Sequence, residues 1–239
     1  AELAEHYEER ASRLKARINR DFWLEERGYF AVGLDESKRP IDSLTSNIGH
    51  LLWAGAADPD KGALAARRLC SPEMFTGFGI RTLSSEMGAY NPASYHNGSV
   101  WPHDTAIAVA GLRRYGFVGE AQQVASGLID AASYFAGRLP ELFCGFDRRD
   151  LPGPVPYPTS CAPQAWASAA PVGMLTTLLG LEPDIPAGEI RVDPKLPPAW
   201  GNLRLAEIPI GDRHLTIEVR SDGAWSYRGS AAPWVVRAP

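Results

Sequence analysis

Along residues 2–22 the apolar positions Leu3, Tyr7, Ala11, Leu14, Ile18 and Phe22 recur every three or four residues, with Glu and Arg on the opposite side. That spacing is the period of an amphipathic helix whose charged side faces water. Residues 23–34 lose the period and contain Gly28 and Gly33, which predicts an extended or hairpin-like loop. A second apolar helix is expected over 43–57. Asp58-Pro59 then supplies a cap and a first-turn proline for a third helix reaching about residue 70. The stretch 76–100 is rich in Gly, Ser, Asn and Tyr, and its strand-like piece is Ile80-Arg81-Thr82-Leu83. A long irregular segment of this kind inside a compact domain points to function. Pro102 opens a fourth helix running to Tyr115, with Gly116 as the stop. A fifth is expected over 118–136, then a Pro- and Gly-rich loop over 138–160, and a sixth helix over 163–179 ending at Gly180. Beyond Gly180 the period becomes two. Residues 190–192, 203–210 and 214–219 alternate, separated by Gly-Asp and Asp-Gly turns, which predicts a small antiparallel sheet. The chain therefore divides into a helical segment, 1–182, carrying the functional loops, and a β extension, 183–239.

Composition narrows the class. The chain has 239 residues, 45% hydrophobic and 22% charged, enough for a large domain with a small one attached. A formal net charge of -4 with no basic stripe argues against nucleic acid as a partner. No apolar run is long enough to span a bilayer, and the first residues lack a signal-peptide core, so a cytoplasmic protein without membrane attachment is expected. The chain also lacks an initiator Met, which suggests trimming from something longer. Cys70, Cys144 and Cys161 form no even set and no CxxC pair, as expected of reduced thiols. The five histidines show no zinc-ligand spacing and there is no phosphate-cradling glycine loop, so neither metal nor cofactor is expected. Seven Trp and 20 Pro suit a binding face built on helix ends, where flat aromatic faces can meet sugar rings.

Two stretches carry the candidate chemistry. Leu139-Pro140-Glu141-Leu142 puts a carboxylate on a bend after a helix, and Cys161-Ala162-Pro163-Gln164-Ala165-Trp166 brings an amide and an indole to the start of the next. A carboxylate among aromatic and amide groups is what activation of a water for sugar hydrolysis requires. Upstream, Tyr95-His96-Asn97-Gly98-Ser99-Val100-Trp101-Pro102-His103-Asp104 gathers aromatics, imidazoles, an amide and a carboxylate just before a helix.

The segments SPEMFTGFGIRTLSS, YNPASYHNGSVWPHDTAIAVAGLRRYG, LPELF and CAPQAWASAAPV resemble the C-terminal half of amylo-alpha-1,6-glucosidase (glycogen debranching enzyme-like) proteins, within a broad group of helical-barrel glycoside hydrolases. IRVDPKLPPAWGNLRLAEIPIGDRHLTIEV resembles the β extension that follows such barrels. The resemblance implies a mainly α chain, part of an (α/α)6 barrel with a small antiparallel β extension, that cleaves α-glucosidic bonds of α-1,6 or α-1,4 glucans or oligosaccharides with inversion. Glu141 matches the general base; read on its own it equally caps its loop or pairs with Arg138. Inversion needs a second carboxyl about 6.5–9.5 Å away to protonate the leaving oxygen. The Gly-Arg-Asp motif that supplies it in the family is missing here, which implies an acid on an upstream segment and a chain that self-associates or pairs with the other barrel half.

The remaining candidates keep two readings each. Tyr95, His96 and Asn97 are hydroxyl contacts or loop scaffold; Trp101 is a core anchor or a stacking platform; Asp104 binds hydroxyls or interacts with the helix start. His50 and Trp53, three residues apart in Asn47-Ile48-Gly49-His50-Leu51-Leu52-Trp53, form a core stripe or a subsite wall. Gln164 and Trp166 open the sixth helix, where side chains can point into the barrel mouth, with Trp166 equally placed to pack beneath Glu141; His103 is evenly open between a sugar contact and a satisfied helix-end histidine. Two rival functions stand beside hydrolysis: a non-catalytic carbohydrate-binding fragment, and a phosphate-dependent phosphorylase, left open by Arg148 and Arg149.

Overall fold

The structure, a computed structural model, describes residues 2–184, 186–229 and 235–238. Two compact units divide between Pro171 and Val172. The first contains α1 (Glu2–Asp21), a short hairpin of β1 (Trp23–Leu24) and β2 (Tyr29–Phe30), α2 (Asn47–Trp53), α3 (Pro59–Leu69), α4 (Pro102–Arg114) and α5 (Val118–Tyr134). The division falls inside α6 (Ala165–Leu179), at a proline that has no N–H to donate. No helix among the described residues is long and apolar enough to cross a membrane.

Helix ends follow their local chemistry. Gly55 and Gly116 both adopt positive φ, and in each case the last turn closes in the Schellman pattern: Gly55 and Ala56 N–H donate to the carbonyls of Leu52 and Leu51, and Gly116 and Phe117 N–H to those of Arg113 and Leu112. Pro59 and Pro102 occupy first turns, where a missing N–H costs nothing. Asp58 precedes α3 without a side-chain capping bond; its N–H donates to Asn19 Oδ1 at 2.8 Å instead.

One helix is shorter than expected. The helix predicted over 43–57 is only the seven residues of α2. Before it, the backbone turns sideways: Thr45 bridges Leu83, Ser46 N–H donates to Thr82 O and Ser84 N–H to Leu44 O. Pairing with the 80–84 segment satisfies these groups outside any helix. Helix α1 forms where the period places it, and its apolar stripe is not covered by the described residues. Leu3, Tyr7 and Leu14 are 68%, 57% and 55% exposed, and the helix's buried residue is Asn19, which donates to Lys15 O and Ala56 O.

The loops of the first unit are held by a ladder of isolated antiparallel bridges, Arg81 to Val100, Val100 to Phe143 and Phe143 to Pro156. Beneath it lies a core of Phe78, Ile80, Met74, Leu112, Leu128 and Phe143. Arg81, almost wholly buried, donates to Gly145 O at 2.8 Å and Pro72 O at 2.9 Å and faces Asp147, clamping three loops from one side chain. Asp147 also accepts from Arg149, the main reason its carboxyl lies well below its usual range, at about 2. Residues 76–100 are therefore ordered by pairing rather than by a regular element.

The second unit contains β3 (Glu182–Asp184), β4 (Glu189–Arg191), a 3-10 turn at Pro198–Trp200, β5 (Leu203–Ile210), β6 (Arg213–Val219), β7 (Trp225–Gly229) and β8 (Val235–Arg237). Strands β5-β6-β7 form an antiparallel meander with an irregularity between Leu205 and Ile208. The second sheet, β3-β4-β8, departs from the all-antiparallel expectation, because β8 pairs with β4 in parallel after the meander intervenes. Alternate residues Leu215, Ile217 and Val219 of β6 bury against Leu179, Ile190 and Val192 as the unit's core. In the predicted β extension, residues 185, 230–234 and 239 lie outside the described residues.

Helices α2 and α4 touch backbone to backbone. A methyl at Gly49 would lie 2.8 Å from Ala108 Cβ, and one at Gly111 would lie 2.7 Å from Gly49 O. Gly111→Ala should therefore lower the stability of the protein by about 1–3 kcal/mol through overpacking. Gly119→Ala in α5, where nothing stands within 4 Å, should be neutral or stabilising by up to about 1 kcal/mol. Denaturant midpoints of the two variants check this; equal effects would contradict it.

Candidate active site

The α2–α4 contact delivers the first functional pair. His50 leaves α2 and Asp104 leaves the first turn of α4, and His50 Nε2 lies 2.7 Å from Asp104 Oδ1. Asp104 is 8% exposed. Its hydrogen bond holds the His50 pKa above the ordinary 6.5 in spite of burial. The other carboxylate oxygen, Asp104 Oδ2, is buried with no hydrogen-bond partner among the described residues, and so is Nδ1 of neighbouring His103. An unmet buried polar atom costs about 1–3 kcal/mol, so two side by side in one helical turn call for an explanation. Burial also lowers the His103 pKa, against the pull of Asp104 and Glu141.

These residues open onto a cleft of about 560 Å³ lined by His50, Asn47, Thr45, Ser46, His96, Asn97, Trp101, His103, Asp104 and Trp166, with Val32, Ser43, Thr82, Leu83 and Ala89. No Lys or Arg is among them. One wall is aromatic throughout. His103 stacks on Trp166 with centroids 4.3 Å apart, His96 lies parallel to Trp101 at 6.0 Å, and Tyr95 stands edge-on to Trp101 at 4.9 Å. Trp166 is 48% exposed, whereas Trp101 is buried and its Nε1–H donates to Tyr95 O and Ser99 Oγ.

Glu141 is not among the lining residues of this cleft, and Tyr95 connects it to the aromatic wall. Tyr95 O–H donates to Glu141 Oε1 at 2.8 Å, and Gln164 Nε2 donates to the same oxygen at 3.3 Å. Oε2 accepts a long 3.4 Å bond from Cys161 N–H. The main chain fixes the position, since Glu141 N–H donates to Cys161 O at 2.9 Å. Glu141 is 7% exposed. Burial is the largest influence on its acidity and pushes the pKa up, but the Tyr95, Cys161 and Gln164 donors together outweigh it and leave the carboxyl below its ordinary 4.5. The loop of Tyr95 is seated on the loop after Glu141 with no room for a side chain: a methyl at Gly145 would lie 1.7 Å from Gly98 O.

Comparison with known proteins then places the chain. Residues 1–144 match the model of the family described as "Mannosylglycerate hydrolase MGH1-like glycoside hydrolase domain". The chain belongs to this family. The chain is also 28% identical over 130 residues to the cytosolic neutral trehalase of Neurospora crassa, a stretch covering 52% of this chain and 17% of that protein. Among solved structures, a sialidase superposes over 95% of this chain and 22% of its own, with a TM-score of 0.73 and 14% identity. The neutral trehalase Nth1 of Saccharomyces cerevisiae does so over 72% and 30%, with a TM-score of 0.57 and 16% identity. These likenesses establish a shared fold. The chain spans less than a third of the length of each of these proteins.

The structure gathers His50, Asp104, His96, Asn97, Trp101 and Trp166 at one cleft, and joins Tyr95, Glu141 and Gln164 by hydrogen bonds. Trp53 is not among them: at the C-terminal end of α2 its side chain is 53% exposed outside the cleft lining, and its carbonyl accepts from Arg114. Helix α6 begins at Ala165, and Gln164 Oε1 accepts from Ala165 N–H while its amide reaches Glu141. The sequence singles out no role for Tyr157, whose ring packs 5.6 Å from Tyr95, and leaves His103 open between a sugar contact and a satisfied helix-end histidine. Nothing in a Pro-rich loop marks Tyr157, whereas His103 beside Asp104 in the first turn was a readable signal. The three cysteines are unpaired: Cys70 half-buried, Cys144 buried and Cys161 exposed beside Glu141.

The His50–Asp104 pair predicts a pH signature. A histidine whose pKa is raised on folding adds stability that is full below the unfolded value, here 6.5, and is lost as pH climbs through the folded value. His50→Gln should therefore lower the thermal midpoint more below pH 6.5 than well above it. Melting curves of both proteins across that range check the sign, and a gap that widens upward would refute it.

Proposed function

We propose that this glycoside hydrolase domain cleaves α-glucosidic bonds, in α-1,6 or α-1,4 glucans or oligosaccharides, by inversion with Glu141 as general base. The observation that carries the reading is the asymmetric setting of the Glu141 carboxylate. Oε1 is held by Tyr95 and Gln164, which fixes its orientation, while Oε2 has one long bond and keeps lone-pair capacity for a water. Its lowered pKa favours the ionised form that a base needs. The aromatic wall suits the apolar face of a sugar ring, and Asn97, His96, Asp104 and His50 suit its hydroxyls.

Several further observations support parts of this reading. The debranching-type motifs and the likeness to a protein titled a trehalase favour a glucosidic substrate. We assign the general acid to a segment outside these 239 residues that completes the barrel. The uncovered stripe of Leu3, Tyr7 and Leu14 on α1 and the short span relative to relatives favour such a neighbour. Phosphorolysis is the weaker reading, because Arg148 pairs with Asp130 and Arg149 with Asp147, and no cation lines the cleft. We place the protein in the cytoplasm, in keeping with its unpaired thiols and its cytosolic relative.

In protein that includes the acid-bearing segment, Glu141→Gln should keep its fold and sugar affinity while turnover falls by at least about 10²-fold. Tyr95→Phe removes a donor from the ionised carboxylate. The acid limb of kcat/KM, expected below pH 4.5 in the parent, should move to higher pH in that variant. A pH–rate series with a maltosyl or isomaltosyl substrate tests both; full turnover by the Gln variant would remove Glu141 from the mechanism.

A further inference from the structure

We propose that Ser160 is a positioning residue for Glu141, acting through the main chain of Leu142 and Cys161. This role rests on Glu141 being the general base and adds the group that sets where its carboxylate stands.

The run that carries Glu141 draws its main-chain partners from two sides. Glu141 N–H donates to Cys161 O at 2.9 Å, Phe143 N–H to Val100 O at 3.0 Å and Cys144 N–H to Val155 O at 2.9 Å. Leu142 falls in the gap. Phe143 still bridges Pro156, but the chain then turns away, closing with Ser160 N–H on Tyr157 O at 3.1 Å. No main-chain group among the described residues bonds Leu142 N–H or C=O. Leu142 is 0% exposed, so water does not reach them either. The Ser160 hydroxyl meets both groups: Oγ accepts from Leu142 N–H at 3.2 Å and donates to Leu142 O at 3.0 Å. A hydroxyl donates and accepts at once, so this one side chain takes the place of a peptide group.

One residue away, Glu141 and Cys161 form a second reciprocal pair. Glu141 N–H donates to Cys161 O, and Cys161 N–H donates to Glu141 Oε2 at 3.4 Å. Oε2 is the oxygen assigned to the water. Its setting depends on the separation of two backbones that Ser160 holds together at the neighbouring residues. The same turn carries Tyr157, whose ring packs 5.6 Å from that of Tyr95, the donor to Oε1. The Ser160 hydroxyl bonds Leu142 rather than the carboxylate, so it acts on Glu141 by position alone. Without it, the long Cys161 bond is the weakest remaining link. Burial pushes the Glu141 pKa up, and the Tyr95, Cys161 and Gln164 donors pull it below 4.5; loss of the Cys161 donor lets it rise.

The test is a pH–rate series with a maltosyl or isomaltosyl substrate on protein that includes the acid-bearing segment. It compares the parent with Ser160→Ala, Ser160→Cys, Ser160→Thr and Glu141→Gln. In Ser160→Ala, kcat should fall by about 10- to 100-fold with KM nearly unchanged, and the acid limb should move to higher pH. Ser160→Thr keeps a hydroxyl on the same carbon and should return both to the parent values. A role confined to stability would lower the melting midpoint and leave kcat and the acid limb of the folded enzyme as in the parent. That result for Ser160→Ala would overturn the positioning role. Should Ser160→Ala not fold, Ser160→Cys, whose thiol is a weak donor and acceptor, carries the same expectation and the same refutation. Glu141→Gln separates the two readings. Full turnover by the Gln variant would remove Glu141 as the base and Ser160 with it. An inactive Gln variant beside unaltered Ser160→Ala and Ser160→Cys would overturn the positioning role and leave the base in place.

Discussion

Where α2 crosses α4, the carbonyl of Gly49 and the α-carbon of Gly111 approach so closely that a methyl at residue 111 would sit 2.7 Å from that oxygen. Much of the site depends on this approach. It lets two helices from distant parts of the chain come close enough for His50 to reach Asp104 across 54 residues of sequence. A second side-chain-free contact, Gly145 against Gly98 O, seats the Tyr95 loop on the loop that follows Glu141. Glycine is needed at both places for proximity, and at Gly98, with φ 138°, for backbone conformation as well. The cleft is thus built by removing side chains where the backbone must meet and concentrating aromatic ones beside those points.

Three buried carboxylates show how the domain separates structural from reactive charge. Asp147 has Arg149 and Arg81 beside it, and its strongly lowered pKa accompanies a clamp on three loops. Glu141 has donors but no ion-pair partner among the described residues, which orients it while leaving one oxygen underused. Asp104 is the least satisfied, with one oxygen on His50 and the other without a partner. Fully paired carboxylates stabilise a fold, and partly paired ones at a cleft are arranged for something that binds there.

The family assignment and the geometry meet at Glu141. The family match runs to residue 144 and so includes the 139–142 bend, while the groups that complete its surroundings, Cys161 and Gln164, come from beyond the matched region. The sheet unit builds its own core from Leu179, Ile190, Val192 and the inward residues of β6. The first unit buries its loops by bridging rather than by regular strands, which lets the long 76–100 segment carry Tyr95, His96 and Asn97 in defined positions.

Much of the local structure was determined by the sequence alone. The period of three to four marked α1, and the Pro and Gly signals bounded α3 and α4 to within about a residue, because first-turn prolines and C-terminal glycines act through neighbouring backbone groups. Alternation marked β5 and β6 for the same reason. The motifs around Glu141 and the 95–104 run pointed to a glycoside hydrolase. Tertiary structure decided the rest. Residues 43–46, Ser-Leu-Thr-Ser, precede a helical run in sequence, yet they pair with 82–84, a choice set by groups nearly forty residues away. Trp53 shares a helical face with His50 in sequence but lies outside the cleft, because where a face points depends on what the helix packs against. The parallel β4–β8 pair depends on a strand that returns after the whole meander. The sequence leaves His103 open between a sugar contact and a satisfied helix-end histidine, and only the packed surroundings reveal an imidazole nitrogen without a partner among the described residues. Hydrogen-bond satisfaction is a property of three-dimensional neighbours, and no spacing along the chain encodes it.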